Sequence, residues 1–292
     1  MTNLPGPIAI TGSNGYIGQW LQHTLKKTNT PFVNIKRETL SDSRSNWPDL
    51  PENAHVIHLA GRTDVLESWS DPDGYYEANA NSTVKLLEKC RTANCSLTYL
   101  SSYSYGQPEF LPITEDHPLA AVNPYGLSKI AADEIVRFYS KYFDLNANVL
   151  RLFNVYGPNQ SNLLIPTIAE QIMDESNSTI SVKDLTPKRD YIYITDVISA
   201  ILAVAGKGKG EAFNLGSGKS YSVKEIIEKL ITHSDRKFRI ESEENERRNE
   251  IPDVVADITK LQSKINWIPT VNLSLGLGFV LQNHSQPNTK LN

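Results

Sequence analysis

The stretch IAITGSNGYIGQW, residues 8–20, constrains the fold more than any other part of the chain. Gly12, Gly15 and Gly18 stand between a short apolar run and an amphipathic helical pattern. The first glycine allows a tight turn, the second lets the backbone approach a pyrophosphate, and the third lets helix and strand pack closely. The start of a helix also offers free N–H groups to phosphate. The spacing is one residue longer than the common fingerprint, but its context predicts a nucleotide-binding turn.

The rest of the chain repeats this alternation of strand and helix. Further apolar runs, separated by helical patterns, occur at 32–35, 54–60, 96–102 and 146–157. Strands that are apolar on both faces indicate a parallel sheet covered by helices. We therefore expect an α/β protein with a doubly wound Rossmann domain over residues 1–160. A smaller mixed α/β substrate-binding domain is expected over 161–292, with residues 190–215 packing back onto the first domain.

The composition narrows the class of protein. The formal net charge is -4 and the basic runs are short, which gives no reason to expect nucleic acid or an anionic membrane as a partner. Cys90 and Cys95 match neither a zinc spacing nor a disulfide framework, and the six histidines are scattered, so no metal site is expected. We see no signal peptide and no apolar stretch of membrane-spanning length. A reduced, cytoplasmic protein is the expectation.

The stretch NPYGLSKIAADEI, residues 123–135, suggests chemistry. Tyr125 and Lys129 are four residues apart, so on a helix they share one face, and Pro124 is well placed in the first turn. A phenol is almost wholly protonated at pH 7, and a nearby ammonium favours the phenolate. The pair could therefore exchange a proton near physiological pH.

Taken together, the motifs resemble those of the extended short-chain dehydrogenase/reductases, in the branch of nucleotide-sugar epimerases and reductases. The resemblance runs over essentially the whole chain. The motifs are TGSNGYIG (11–18), HLAG (58–61), NANST (79–83), SSYSYG (101–106), YGLSK (125–129), RLFNVYGPNQ (151–160), RDYIYITDV (189–197), FNLGSG (213–218) and RRNEIPDVVADITK (247–260).

The resemblance implies catalytic roles. Tyr125 would be the general acid/base, and Lys129 would lower its pKa and bind the nicotinamide ribose. A serine at the end of the fourth strand would hydrogen-bond the reacting sugar oxygen. Counting back from Gly106 without gaps favours Ser101, while a shortened loop would give the role to Ser102.

The cofactor would be a nicotinamide dinucleotide. Lys36 and Arg37 end the second strand, where a basic pair suits a 2′-phosphate and favours NADP(H). If the strand ends later, Glu38 would take the ribose hydroxyls and the cofactor would be NAD(H). The cofactor-binding residues expected from the motifs are Gly12, Asn14, Gly15, Tyr16, Ile17, Gly18, Lys36, Arg37, Leu59, Ala60, Gly61, Tyr125 and Lys129.

A nucleoside-diphosphate sugar is the implied substrate. The residues expected to bind it are Ser102, Tyr103, Asn154, Arg189 and Arg247. Arginine suits a diphosphate because its planar fork pairs with phosphate oxygens. Arg248 competes with Arg247 for this role, and Arg189 could instead be a structural ion-pair partner of Asp190 or of a neighbouring residue.

Three functions remain open at this point. The first is reduction of a 4-keto-6-deoxy nucleotide sugar, the second is 4-epimerisation, and the third is a catalytically silent NADP-binding regulator. Dehydration is not expected, because Ser102 and Tyr103 stand where sugar dehydratases carry an acidic pair. The resemblance also implies a homodimer that pairs helices near 75–93 and 124–142, and the apolar positions Ile130, Ile135, Val136 and Phe138 on the second of these support the pairing.

Overall fold

Strands and helices alternate along the chain in the computed structural model. The structure describes residues 6–36, 38–39, 45–243 and 251–284. The strands are β1 (Ile8–Thr11), β2 (Phe32–Ile35), β3 (Glu38–Thr39), β4 (Ser45–Asn46), β5 (His55–His58), β6 (Ser96–Ser102), β7 (Ala147–Leu152), β8 (Asn154–Tyr156), β9 (Thr179–Val182), β10 (Lys188–Tyr193), β11 (Ala212–Leu215), β12 (Ser220–Ser222), β13 (Arg239–Ser242) and β14 (Asp253–Val254).

The helices connect these strands. They are α1 (Tyr16–Lys27), α2 (Val65–Ser70), α3 (Pro72–Tyr76), α4 (Ser82–Thr92), α5 (Pro124–Tyr142), α6 (Leu164–Met173), α7 (Ile194–Val204), α8 (Val223–Thr232), α9 (Thr259–Ile265) and α10 (Leu273–His284). A π-helical turn, Glu77–Asn81, joins α3 to α4.

A six-stranded parallel sheet forms the centre of the molecule, in the order β11-β7-β6-β5-β1-β2. Its inner strands are buried on both faces, as in the all-buried runs IAIT of β1 and ANVLRL of β7. Apolar residues of α1 and α7 cover one face, and those of α4 and α5 cover the other. The predicted fold class, a doubly wound α/β sheet with helices on both faces, is confirmed.

The C-terminal part contributes a second, smaller layer. Strand β10 pairs in parallel with β8 and β14 and antiparallel with β12, while β9 pairs with β13. Helix α8 begins with a capping box, in which Ser222 and Glu225 satisfy each other's backbone N–H groups. Strand β11 returns to the central sheet as its terminal strand beside β7. The predicted limits of the two domains stay a prediction.

Two buried carboxylates attach this layer to the central sheet. Asp190 accepts hydrogen bonds from the backbone N–H groups of Ser217, Gly218 and Ala256, at 2.7, 2.9 and 3.1 Å, and from the Ser217 hydroxyl. Asp196 accepts from the backbone N–H groups of Thr270 and Val271 and from the Thr270 hydroxyl. Each carboxylate therefore fixes a chain segment distant in sequence, because an anion buried in this way needs several donors.

Two predicted elements are divided in the structure. The helix expected over 75–93 contains a π-helical turn, and Asn79 in this turn accepts a hydrogen bond from the backbone of Arg62. The strand expected over 146–157 is divided at Phe153 into β7 in the central sheet and β8 beside β10. Both divisions lie at the edge of the candidate site.

Candidate active site

The glycine turn between β1 and α1 has the close packing that its sequence predicts. Gly12 has a φ of +72°, and a Cβ there would lie 2.5 Å from the Ala60 nitrogen. Its carbonyl accepts a hydrogen bond from the N–H of Gly15 at 3.0 Å, and a Cβ on Gly18 would collide with the same carbonyl. A side chain at either position would therefore displace the turn from the strand below it.

An open cavity of about 360 Å³ lies over this turn. Among the cofactor residues predicted from the sequence, the cavity is lined by Gly12, Asn14, Gly15, Lys36, Ala60 and Gly61. The sequence did not single out the other lining residues, Ser13, Ile35, Trp47, Arg62 and Ala78. A glycine-lined backbone cradle beside a lysine fits the pyrophosphate and ribose of a dinucleotide.

The remaining predicted cofactor residues have other positions. Tyr16, Ile17 and Leu59 pack partly buried against the main hydrophobic core, and the Tyr16 hydroxyl is buried. Gly18 serves the contact between helix and strand. Arg37 lies outside the described residues, so of the basic pair only Lys36 has a described position on the cavity wall.

Asn79, in the π-helical turn, connects the cavity to α5. Its Oδ1 accepts a hydrogen bond from the backbone N–H of Arg62 at 2.8 Å, and its Nδ2 donates to the Arg62 carbonyl at 3.0 Å. The same Nδ2 donates to the hydroxyl of Ser128 at 2.9 Å, next to Lys129 in sequence. One buried amide therefore holds both the cofactor wall and the helix that carries Tyr125.

Helix α5 presents Tyr125 from its first turn. Asn123 caps the helix by accepting from the N–H of Gly126 at 2.7 Å, and Pro124 occupies the first turn as predicted. The edge of the Tyr75 ring packs against the Tyr125 ring, with centroids 6.4 Å apart at 87°. Tyr125 is thus held by its helix cap and by an aromatic contact from α3.

Ser102 is the serine that contacts the tyrosine. Burial raises the pKa of Tyr125, and a hydrogen bond with the Ser102 side chain lowers it in part. Ser101, one residue earlier in β6, is buried and pairs in register with Arg151. Successive side chains of a strand point to opposite faces, so only one of the two serines can face the phenol. The structure thus brings Ser102, the alternative left open by the sequence, to the tyrosine. Which of the two serines acts in catalysis stays a prediction.

Lys129 is deeply buried behind Tyr125. Its ammonium donates to the carbonyl of Leu100 at 2.7 Å and lies 4.4 Å from the ring centroid of Tyr99. Burial lowers the pKa of Lys129 to about 7, and Asp133 opposes this shift. The expectation that the lysine brings the tyrosine pKa toward neutrality is not met in this structure, because burial dominates and raises the tyrosine pKa.

On the substrate side, Tyr103 and Asn154 form one contact group. The ring of Tyr103 stacks on Phe153 with centroids 4.7 Å apart, and its hydroxyl donates to Oδ1 of Asn154 at 3.3 Å. The Asn154 amide in turn donates to the backbone carbonyl of Asp190 at 3.1 Å. Tyr103 also raises the pKa of Tyr125, which places the two phenols in one electrostatic environment.

The arginines proposed for the diphosphate are less fully placed. Arg189 donates to the backbone carbonyls of Lys188 and Ile251, at 2.8 and 2.7 Å. Asp190 takes its hydrogen bonds from the backbone and hydroxyl donors given above, and both roles weighed for Arg189 stay predictions. Arg247 and Arg248 lie outside the described residues.

Arg151 has a structural position. Its guanidinium pairs with the buried Asp133 at 2.9 Å and donates to the Tyr105 hydroxyl and to the Glu115 carbonyl.

Within the described part of the chain, no group of histidine, cysteine, aspartate or glutamate side chains could hold a metal ion. None of the described helices is both long and apolar enough to cross a membrane.

Comparison with known families agrees with this geometry. The sequence profile of the NAD dependent epimerase/dehydratase family matches residues 8–216. The chain belongs to this family. It is an enzyme of the extended short-chain dehydrogenase/reductase type, as the motifs implied.

Individual relatives divide between two reactions. A GDP-6-deoxy-D-mannose reductase from Pseudomonas aeruginosa is 30% identical, over 93% of this chain and 95% of its own length. A UDP-glucose 4-epimerase from Lactobacillus helveticus is 35% identical, over 73% of this chain and 71% of its own length.

Solved structures cover nearly the whole chain. RMD from Pseudomonas aeruginosa, complexed with NADPH, superposes with a TM-score of 0.84 at 29% identity, over 95% of this chain and 98% of that one. MoeE5, complexed with UDP-glucose and NAD, has a TM-score of 0.82 at 26% identity, over 97% of this chain and 99% of that one.

Proposed function

We propose that the enzyme reduces a nucleotide-activated 4-keto-6-deoxy sugar with NADPH. The observation that carries this proposal is that Ser102 contacts Tyr125 on the helix that also carries Lys129, and that Asn79 ties this helix to the wall of a cavity lined by Lys36. The reductase relative from Pseudomonas aeruginosa and the RMD structure complexed with NADPH support it.

The cavity over the glycine turn would hold the dinucleotide, and the nicotinamide, when bound, supplies the hydride for the sugar carbon. Tyr125 then donates its proton to the oxygen that gains charge, which makes the product hydroxyl. Ser102 would hydrogen-bond the same oxygen and stabilise the charge as it develops. A phenol with a raised pKa is fully protonated at the start, as an acid needs to be.

The substrate would lie across β8 and β10. Tyr103 and Asn154 offer a hydroxyl and an amide next to Tyr125, and Arg189 and Arg247 are proposed for the diphosphate. The positions after Ser102 are Tyr103 and Ser104, which carry no carboxylate. This composition supports ketone reduction rather than loss of water.

The deciding experiment supplies 4-keto-6-deoxy and 4-hydroxy sugars, carried on dTDP, UDP, GDP and CDP, with NADPH and NADH in turn. Stoichiometric loss of the reduced-nicotinamide absorbance with a keto-sugar is expected, and the kcat/KM is expected to favour NADPH. Lys36→Ala and Arg37→Ala should each weaken that preference, because a 2′-phosphate would lose a cation. A wild-type preference for NADH would contradict the cofactor proposal.

The second candidate is a nucleotide-sugar 4-epimerase with NAD. The epimerase from Lactobacillus helveticus favours it, as does the binding of UDP-glucose and NAD by MoeE5. An epimerase interconverts two 4-hydroxy sugars without net consumption of cofactor. Interconversion of UDP-sugars at constant absorbance would therefore replace the reductase proposal by this one.

We further propose a homodimer formed through α4 and α5. Leu127, Phe138 and Tyr142 on α5 are about half exposed or more, whereas Val136 lies in the core of the monomer and is removed from the predicted interface. Light scattering at micromolar concentration should give twice the mass of 32.6 kDa, and Phe138→Glu should halve the observed mass.

The proposed compartment is a reducing cytoplasm, and the free, buried state of Cys90 and Cys95 supports it.

A further inference from the structure

Lys129 rests on an aromatic ring that no motif of the sequence singles out. Its Nζ lies 4.4 Å from the ring centroid of Tyr99, within the range of a cation–π contact. Tyr99 stands in the middle of β6, and its side chain is 1% exposed, while Lys129 is 6% exposed. The contact is therefore shielded from water, where such interactions are strongest.

A buried ammonium needs partners that favour its charged form. The Leu100 carbonyl supplies one hydrogen bond, and Asp133 attracts the charge from one turn further along α5. The carboxylate of Asp133, however, is also shared between Arg151 and Arg137, at 2.9 Å from each. Among the described residues, the Tyr99 ring contacts no second cation, so its interaction with Lys129 is not shared.

The groups around this contact come from several elements. Tyr125 and Asp133 belong to α5, and Arg151 reaches the lysine from β7 through Asp133. From β5, the ring of His58 packs on Tyr99 with centroids 5.4 Å apart, and Thr11 and Thr83 hydrogen-bond its two nitrogens.

The hydroxyl of Tyr99 gives no reason for a tyrosine at this position. It is buried and has no hydrogen-bond partner among the residues that the structure describes. A buried hydroxyl without a partner costs stability, so the useful part of this side chain is the face of its ring.

We propose that Tyr99 is a positioning residue whose ring keeps Lys129 protonated and in place, and thereby sets the alkaline limit of cofactor binding and turnover. The inference rests on the proposed function and on the role that the resemblance implies for Lys129, which is to bind the nicotinamide ribose. Because burial already brings the pKa of Lys129 to about 7, even a modest loss of cation stabilisation would leave the lysine neutral at working pH.

The test is a titration of the full-length enzyme with NADPH from pH 5.5 to 9, followed by nicotinamide fluorescence. Tyr99→Leu removes the ring. As the pH rises, the affinity of this variant for NADPH should decline at a pH about one unit lower than in the wild type. At pH 8 this is about a tenfold weaker Kd, while the two proteins should converge at pH 5.5. Tyr99→Phe keeps the ring, and its profile should return to that of the wild type.

A second variant covers the case in which Tyr99→Leu does not fold. Placing 3,4,5-trifluorophenylalanine at position 99 keeps the ring shape but weakens the negative potential of its face. Its binding profile should also move to lower pH relative to Tyr99→Phe, with an unchanged melting temperature. Coincident profiles for the phenylalanine and trifluorophenylalanine proteins would overturn the inference.

The titration contains no sugar, so it separates this inference from the proposed function. If the profiles shift as expected but no keto-sugar is reduced, the role of Tyr99 stands and the proposed function fails. If keto-sugar is reduced and the profiles coincide, the function stands and the role of Tyr99 is refuted.

Discussion

The cofactor side and the substrate side of the site are built in different ways. On the proposed cofactor side, two pairs of groups lie within one turn or one helix, Gly12 with Gly15 and Tyr125 with Lys129. On the proposed substrate side, Asn154 depends on the Asp190 carbonyl 36 residues away, and Arg189 on the Ile251 carbonyl 62 residues away. Local backbone geometry therefore sets the glycine turn and the spacing of the catalytic pair, whereas the substrate wall depends on tertiary contacts.

The buried carboxylates of the two sides also differ in the kind of group that binds them. Asp133, behind the catalytic helix, is neutralised by the guanidinium groups of Arg151 and Arg137. Asp190, below the substrate wall, is held by backbone N–H groups and a hydroxyl. The substrate wall is thus sensitive to any change that moves the loops at 216–218 and 256.

The largest expected effect concerns the cofactor side. Tyr125→Phe should lower kcat by about a thousandfold, because it removes the proton donor and keeps the ring. The Kd for NADPH should stay near that of the wild type, measured by nicotinamide fluorescence. Tyr142→Phe, the same change at an exposed position of the same helix, is the matched control. Near-normal turnover in Tyr125→Phe would remove the catalytic role from this wall.

The next effect tests the substrate side. Asp190→Ala should lower the free energy of unfolding by about 3 kcal/mol, because several buried donors lose their acceptor together. The measurement is urea unfolding at pH 7. Asp49→Ala is the control, since Asp49 is an exposed residue paired with Lys89. Equal stability for the two variants would show that the substrate wall does not depend on this carboxylate.

The parts of the fold and of the candidate site that the sequence predicts are those that depend on short sequence patterns. The glycine turn, the start of α5 at Pro124 and the alternation of strands and helices follow from patterns within a few residues, and the structure has all three. The π-helical turn at Asn79 and the choice of Ser102 do not follow from such patterns. The first is accompanied by contacts of Asn79 with Arg62 and Ser128, and the second depends on which side chain at the end of β6 faces Tyr125, both of which are tertiary contacts.

The two serines sharpen the comparison further. Ser102→Ala should lower kcat by about a hundredfold, because a hydrogen bond to the charged oxygen of the transition state is lost. Ser101→Ala should have a much smaller effect on kcat and act through packing, since the side chain is buried. The two are compared under identical keto-sugar and NADPH concentrations. A greater loss in Ser101→Ala would restore the assignment from the sequence count.

The smallest effect concerns the core of the cofactor half. His55 is buried between the hydroxyls of Ser96 and Thr98, and burial lowers its pKa from 6.5 to about 4. The unfolded chain gains a proton below pH 6.5 that the folded chain does not take up. The contribution of His55 to the free energy of unfolding is therefore constant above pH 6.5. Between pH 6.5 and pH 4.5 the free energy of unfolding should fall by about 2 kcal/mol.

Urea unfolding at pH 7 and pH 4.5 checks this value. In His55→Gln the difference between the two pH values should shrink by the same amount, whatever the variant's stability at pH 7. An unchanged difference would assign the acid sensitivity to another group.

The amide of Asn79 has a consequence for protein engineering. It ties the Arg62 segment of the cofactor wall to Ser128 on the catalytic helix, so redesign of that segment for another coenzyme would also disturb proton delivery. Lys36, which follows β2 and also lines the cavity, has no such connection to α5 among the described residues. Coenzyme choice and reaction rate are thus separable traits on one wall of the cavity and inseparable on the other.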